Sequence, residues 1–140
     1  MTTCRDVMTK NPVCAYPGDT VAHVARLMRS EDIGPVPIVQ DDTSKKLLGI
    51  VTDRDLAVKV VAEELNSATT RVSDVMATDV VTCRENDDIE TALKAMSTNQ
   101  LRRIPVVADG DMLVGIIAQA DVATRLKPEQ TGEVVREISE

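Results

Sequence analysis

Thr52 and Asp55 are the residues of this chain best placed to do chemistry together. They stand three apart in Gly49-Ile50-Val51-Thr52-Asp53-Arg54-Asp55-Leu56-Ala57, where an apolar strand pattern ends at Thr52 and a helical one begins at Asp53. Across such a junction a hydroxyl and a carboxylate can face one small volume and offer hydrogen bonds there. The same spacing is that of a plain helix cap with a first-turn acid, and local spacing alone favours the cap. Arg102 and Arg103, just before Ile104-Pro105, are the second pair of interest. Two guanidiniums suit a phosphate through forked, charge-assisted hydrogen bonds, but they can equally be solvated charges that protect a strand edge.

Bond-breaking chemistry has no constellation to use. The sequence shows no nucleophile paired with a histidine, no glycine-rich phosphate loop ahead of a helix, and no His/Cys/Asp ligand cluster. The acidic residues are scattered over expected loops and solvated faces, where carboxylates usually supply solubility. His23 is the only histidine and falls on the polar side of an expected helix. Cys4, Cys14 and Cys83 form an odd set without Cys-x-x-Cys spacing, so small buried or half-buried thiols in a reducing compartment are expected, with no disulfide framework or zinc site. The expectation is a protein that is not an enzyme, with no metal.

Composition narrows the partners. A net charge of −7 argues against a nucleic-acid binder, which needs a basic stripe. Tyr16 is the only aromatic residue, which removes base-stacking platforms, so any bound base must lie on aliphatic side chains and backbone. No apolar run reaches the length of a membrane span, and the N-terminus lacks a signal-peptide core, so a cytoplasmic protein without membrane contact is expected.

The elements that must position these residues occur twice. Asp6-Val7-Met8 returns as Asp74-Val75-Met76, and Val36-Pro37-Ile38-Val39 returns at the same offset as Ile104-Pro105-Val106-Val107. Gly49-Ile50-Val51 returns as Gly115-Ile116-Ile117, and the extra residues of the first copy fall in a polar turn that tolerates insertion. Each copy is too short to bury much apolar surface alone, so the two should pack together. The expected units are residues 1–65 and 72–127, with 66–71 as a linker and 128–140 as a tail carrying a short helix.

Within each copy the pattern reads as a helical turn, a brief extended segment, a helix, two strands and a helix. Pro17-Gly18-Asp19-Thr20 caps a helix with the stripe Val21, Val24, Ala25 and Met28; Asp87 caps its counterpart with Ile89, Ala92, Leu93 and Met96. Strands are expected over 36–40 with 47–52 and over 103–107 with 113–118, apolar with little alternation as if covered on both faces. Asp109-Gly110 marks a tight turn, and Pro37 and Pro105 suggest a strand start or a sheet edge. The last helix of each copy runs from Asp53 to about Leu65 and from Gln119 to about Leu126.

The Asp-Val-Met opening, the Pro-Val strand and the Gly-h-h-Thr-x-x-Asp ending occur together, in order, across roughly residues 4–127. This duplicated set resembles a tandem pair of cystathionine-β-synthase-type (CBS) domains, and most of all the small bacterial proteins made of one such pair. The resemblance implies an α/β fold of two pseudo-symmetric β-α-β-β-α CBS units packed as an intramolecular pair. It also implies a regulatory module that binds an adenosyl ligand in clefts between the units, and a flat homodimer formed through helices such as that carrying Leu56, Ala57, Val60 and Val61.

Carried over by that resemblance, the first cleft uses Thr52 and Asp55 for ribose and phosphate, with Asp55 accepting from the ribose hydroxyls. Arg102 and Arg103 meet the phosphates, and Ile33, Gly34, Ile50 and Val81 wall the base. The second cleft is weaker: Asp121 is kept, but Ala118 replaces the threonine and Gly34-Pro35 stands where the first cleft has its arginines. The expected ligand is an adenine nucleotide, AMP first, with ADP, ATP, NAD or S-adenosylmethionine as alternatives. The output would pass to a separate effector protein or through the oligomeric state. The competing reading is a ligand-free dimerisation scaffold recognised by a partner.

Overall fold

The computed structural model describes residues 1–123. The expected tail helix, and the end of the last helix beyond Ala123, lie outside the described residues. Two compact α/β units emerge, and they do not follow the repeat boundaries. One comprises Val13–Val80; the other joins Met1–Pro12 to the chain from Val81 onward. The opening segment of each sequence copy thus folds with the other copy's strands and helices. The stretch 66–71, expected as a linker, belongs to the first of these units: the Thr70 carbonyl accepts from the Val21 N–H at 2.9 Å and Thr20 bridges Arg71.

The Val13–Val80 unit is built on the hairpin of β2 (Val36–Val39) and β3 (Leu47–Val51). The hairpin is flanked on one side by Ala15, which pairs with Ile38 in parallel, and on the other by Ala77, which pairs with Ile50 antiparallel. The helix α2 (Val21–Glu31) starts where the Thr20 hydroxyl accepts from the His23 N–H at 3.2 Å. It turns Val21, Val24 and Met28 into a core shared with Val36, Ile38, Val51 and Val60. Ala25, expected in that stripe, is exposed, and Leu27 is partly buried instead. The buried stripe is therefore turned toward Leu27 rather than Ala25.

The second unit repeats the plan with longer strands. Its sheet runs in the order β1 (Thr9–Lys10), β6 (Met112–Ala118), β5 (Arg103–Ala108), β4 (Cys83–Arg84). The short helix α1 (Cys4–Val7) precedes β1, and α4 (Ile89–Asn99) buries Ile89, Ala92, Leu93 and Met96 against the sheet, as the sequence spacing predicts. Its cap is Asp88 rather than Asp87: the Asp88 carboxylate accepts from the Glu90 N–H at 3.0 Å, while Asp87 holds the preceding turn by accepting from the Arg84 N–H.

The expected covering on both faces holds for β2 and most of β5, whose residues are buried in succession, whereas β6 alternates buried and half-buried positions. Pro105 is no edge residue, because β5 lies between β4 and β6. Proline lacks the N–H but keeps its carbonyl as an acceptor, and the equivalent Pro37 carbonyl accepts from the Ala15 N–H at 3.0 Å. Asp109-Gly110 makes the turn before β6, with Gly110 at φ +77° as a residue without Cβ permits.

The exchange of opening segments rests on two equivalent close approaches. A Cβ placed on Gly49 would lie 2.7 Å from the Ala77 carbonyl oxygen and 2.8 Å from the Met76 sulfur. A Cβ on Gly115 would lie 2.7 Å from Met8 Cγ and in contact with its sulfur. At Gly49 the obstacle is backbone held in a reciprocal bridge with Ile50 at 2.8 and 2.9 Å, so relief requires moving the strand pair. Gly49→Ala should therefore cost about 1–3 kcal/mol in chemical denaturation, the range of an overpacked core. Gly18→Ala, at a position with open space, serves as the control.

Candidate functional site

The candidate site begins at the end of β3, where the apolar run stops at Thr52 and α3 (Asp53–Leu56) starts. Thr52 and Asp55 form a reciprocal capping box. The Thr52 N–H donates to Asp55 Oδ2 at 2.9 Å, the Thr52 hydroxyl donates to the same oxygen at 3.2 Å, and the Asp55 N–H meets Thr52 Oγ1 at 3.2 Å. Four backbone and side-chain groups are thereby fixed at a strand-to-helix corner. The Asp55 side chain keeps 21 % exposure, so its carboxylate is anchored on one oxygen and still reaches solvent.

Lys59, which spacing did not single out, completes this corner. Its ammonium lies 3.4 Å from Asp55 Oδ1 and donates to the Val75 carbonyl at 3.0 Å. The signal was available as an acid and a base four residues apart on a helix. The helix beyond α3 widens over Ala57–Val61 into a π-turn, with the Ala62 N–H reaching the Ala57 carbonyl at 2.9 Å. Such widening, often found beside functional sites, places Val60 inward and leaves Val58 and Val61 exposed.

Of the sequence-predicted residues, Thr52, Asp55, Ile33, Gly34 and Ile50 share the Val13–Val80 unit. Gly34 lies beside the Asp53 carboxylate, about which a Cβ would make only ordinary contacts at 3.5 Å, so the Ile33–Gly34 turn borders the start of α3. Ile33 and Ile50 are half-buried. Arg102, Arg103, Val81 and Asp121 belong to the other unit.

There Arg103 opens β5 opposite Ala118, and the Arg102 carbonyl accepts from the Gln119 N–H at 2.8 Å. Both arginines are exposed, and among the described residues no carboxylate forms a salt bridge with either. Val81 is partly buried against its own unit's core. Asp121, in α5 (Gln119–Ala123), accepts from the Ala118 N–H at 3.2 Å, which is half of the box that Thr52 and Asp55 complete.

A hollow of about 480 Å³ lies elsewhere in this second unit, between Arg5, Arg84, Asp109 and Met112. Its cations are already matched, Arg5 by Glu85 and Arg84 by Asp109 at 2.8 Å, and it contains none of the residues above. Among the described residues no group of three or more His, Cys, Asp or Glu side chains could hold a metal ion. No described helix is long and apolar enough to cross a membrane.

The chain is similar to known proteins over nearly its whole length. The sequence model of the CBS domain matches residues 4–62 and again 72–128. The CBS domain-containing protein YhcV of Bacillus subtilis is 34% identical over 140 residues, covering 99% of this chain and 96% of its own. Among solved structures, Hypoxic Response Protein I with two coordinated zinc ions is 36% identical with a TM-score of 0.80, over 90% of this chain and 100% of that one. The CBS domain pair of protein MJ0100, solved with 5-methylthioadenosine and S-adenosyl-L-methionine, is 27% identical with a TM-score of 0.75, over 89% and 94% of the two chains.

The contrast between the complete box at Thr52 and the half box at Ala118 can be measured as stability. Thr52→Ala should cost about 0.5–2 kcal/mol in urea unfolding, the usual worth of a helix cap. Ala118→Thr, at a half-buried position with its Asp121 partner in place, should recover up to about 1 kcal/mol.

Proposed function

Because the chain belongs to the CBS-domain family, we propose that it is a regulatory module that senses an adenosyl ligand, AMP above all, and acts by binding rather than turnover. The observation that carries this reading is the Asp55 carboxylate, fixed by its cap yet open to solvent. A carboxylate has about four acceptor positions. Thr52 takes two on Oδ2 and Lys59 approaches Oδ1 at 3.4 Å, which leaves acceptor capacity for a ribose hydroxyl without disturbing the cap. Lys59 retains its shorter bond to the Val75 carbonyl if a second hydroxyl displaces it from Asp55.

In this reading Thr52 and Asp55 hold ribose, and Arg102 and Arg103 hold phosphate. Ile33, Gly34, Ile50 and Val81 cover the base. The absence of any acid paired with those arginines among the described residues favours a phosphorylated ligand over a sulfonium. ADP, ATP and NAD share the adenosine and a phosphate and rank next. The relative bound to 5-methylthioadenosine and S-adenosyl-L-methionine supports the adenosyl class and not the choice within it. Asp121, with Ala118 at the position equivalent to Thr52, makes a weaker second site.

The output is a change of conformation or assembly that a separate effector protein reads. A homodimer fits the exposed apolar residues Val58, Val61 and Leu65, which follow α3. A cytoplasmic setting belongs to the same reading. Ligand can shift the equilibrium only by its differential affinity, and a swing from about 1:99 to 99:1 needs roughly 5.5 kcal/mol.

Calorimetric titration with AMP, ATP, NAD, S-adenosylmethionine and 5-methylthioadenosine tests the reading. AMP should bind at about one per chain, and Asp55→Ala should abolish it. Replacing Arg102 and Arg103 by alanine should weaken AMP at least tenfold, about 1.4 kcal/mol, and leave 5-methylthioadenosine nearly unchanged. A folded protein that binds none of the five would make it a ligand-free scaffold.

A further inference from the structure

The two units repeat one turn almost bond for bond, and the repetition separates the side chains this turn needs from those it does not. In the unit that includes the N-terminus, the Cys4 N–H donates to the Asp87 carbonyl and the Arg5 N–H to the Glu85 carbonyl, both at 2.9 Å. In the Val13–Val80 unit the Val72 N–H donates to the Asp19 carbonyl at 2.8 Å and the Ser73 N–H to the Pro17 carbonyl at 3.2 Å. The Arg84 N–H meets Asp87 Oδ2 at 2.9 Å, just as the Tyr16 N–H meets Asp19 Oδ2 at 2.9 Å. The aspartate is common to both turns. Arg5, Arg84 and Glu85 stand where the other unit has Ser73, Tyr16 and Pro17, so the same turn closes there without their charges.

These three side chains line the hollow of about 480 Å³, together with Asp109, Val107 and Met112. Arg5 pairs with Glu85, and Arg84 with Asp109 at 2.8 Å. The Arg5 and Arg84 side chains remain 54% and 50% exposed, and exposed pairs of this kind add little to stability. Each guanidinium has about five N–H donors and each carboxylate about four acceptor positions, so both pairs keep capacity after meeting one another. The volume falls within the range of small-molecule sites, about 300–1,000 Å³.

From this lining we propose that the hollow is a separate ligand site for a zwitterion, a free α-amino acid with an apolar side chain. A plain anion would meet carboxylates in a chain of net charge −7, and a plain cation would meet two guanidiniums. A molecule with an ammonium beside a carboxylate matches both signs at once. Its carboxylate takes guanidinium donors of Arg5 and Arg84, and its ammonium donates to Glu85 and Asp109. The exposed Met112 offers apolar surface to its side chain. The lining lies wholly within one unit and includes no residue assigned to the nucleotide, so the inference stands apart from that reading.

The test is calorimetric titration of the full chain with leucine, methionine, N-acetylleucine and leucinamide. Leucine or methionine should bind at one per chain. N-acetylleucine, without the ammonium, and leucinamide, without the carboxylate, should each bind at least about tenfold more weakly. A double variant, Arg5→Ser with Arg84→Tyr, installs the residues that the other unit carries at the same places in its turn, and it should lose the amino acid. Asp109→Asn, at a fully exposed side chain that cannot disturb folding, should weaken binding as well. The proposal is overturned if neither amino acid binds the folded parent at up to about 10 mM. It is overturned equally if a one-sided analogue binds as tightly as leucine, or if Asp109→Asn and a folded double variant bind leucine as the parent does.

Discussion

The constraint on which the rest depends is that neither sequence copy can finish its own sheet. The outer side of β3 is occupied by Ala77 and the outer side of β6 by Thr9–Lys10, and each comes from the opposite copy. The fit is steric as well as hydrogen-bonded, since Met76 and Met8 occupy the space that a side chain on Gly49 or Gly115 would need. A strand edge left without this partner would expose unpaired N–H and C=O groups. Duplication answers the problem, because each half carries the segment that the other half lacks. The pairing is long-range in sequence, so folding must bring residues from both copies together before either unit closes.

The exchanged segment also reaches the candidate site. Ala77 bridges Ile50, two residues before Thr52, and the Val75 carbonyl accepts from Lys59, whose ammonium faces Asp55. The carboxylate proposed to grip ribose is therefore linked by one lysine to the segment that completes its own sheet. A hydroxyl that displaces Lys59 from Asp55 changes the charge balance at that segment. This gives binding a local physical consequence in the unit where it occurs, through groups whose distances are fixed rather than through an unspecified path.

What could be read from the sequence was what local pattern encodes. The amphipathic stripe Ile89, Ala92, Leu93, Met96, both hairpins, and the Thr52 strand end follow from periodicity and cap chemistry over a few residues. The exchange was not legible, because a repeated Asp-Val-Met says that the segment has a partner without saying which copy supplies it. Asp87 and Asp88 are adjacent carboxylates, and only the backbone path decides which one caps the helix. Pro105 suggests a strand start or an edge by its missing N–H; it does lie early in β5, yet long-range strand order puts that strand inside the sheet. Cys4 and Cys83 share one buried cluster only through the exchange, which no spacing rule could show.

The capping box itself is not evidence of a ligand, and the structure contains the comparison that shows why. Thr3 and Asp6 make the same arrangement at the start of α1: the Thr3 N–H donates to Asp6 at 2.9 Å and its hydroxyl at 3.0 Å. Those bonds hold the Asp6 carboxyl below its usual value, the ordinary result of a charged group accepting N–H and O–H donors. There the box starts a helix. Ala118 and Asp121 keep only the backbone half. Three helix starts thus share one capping logic, and at the Thr52–Asp55 copy a lysine also faces the carboxylate's second oxygen. The functional weight therefore rests on the Asp55 carboxylate's access to solvent and its Lys59 neighbour rather than on the Thr-x-x-Asp motif, which the fold would use for capping even in a chain that bound nothing.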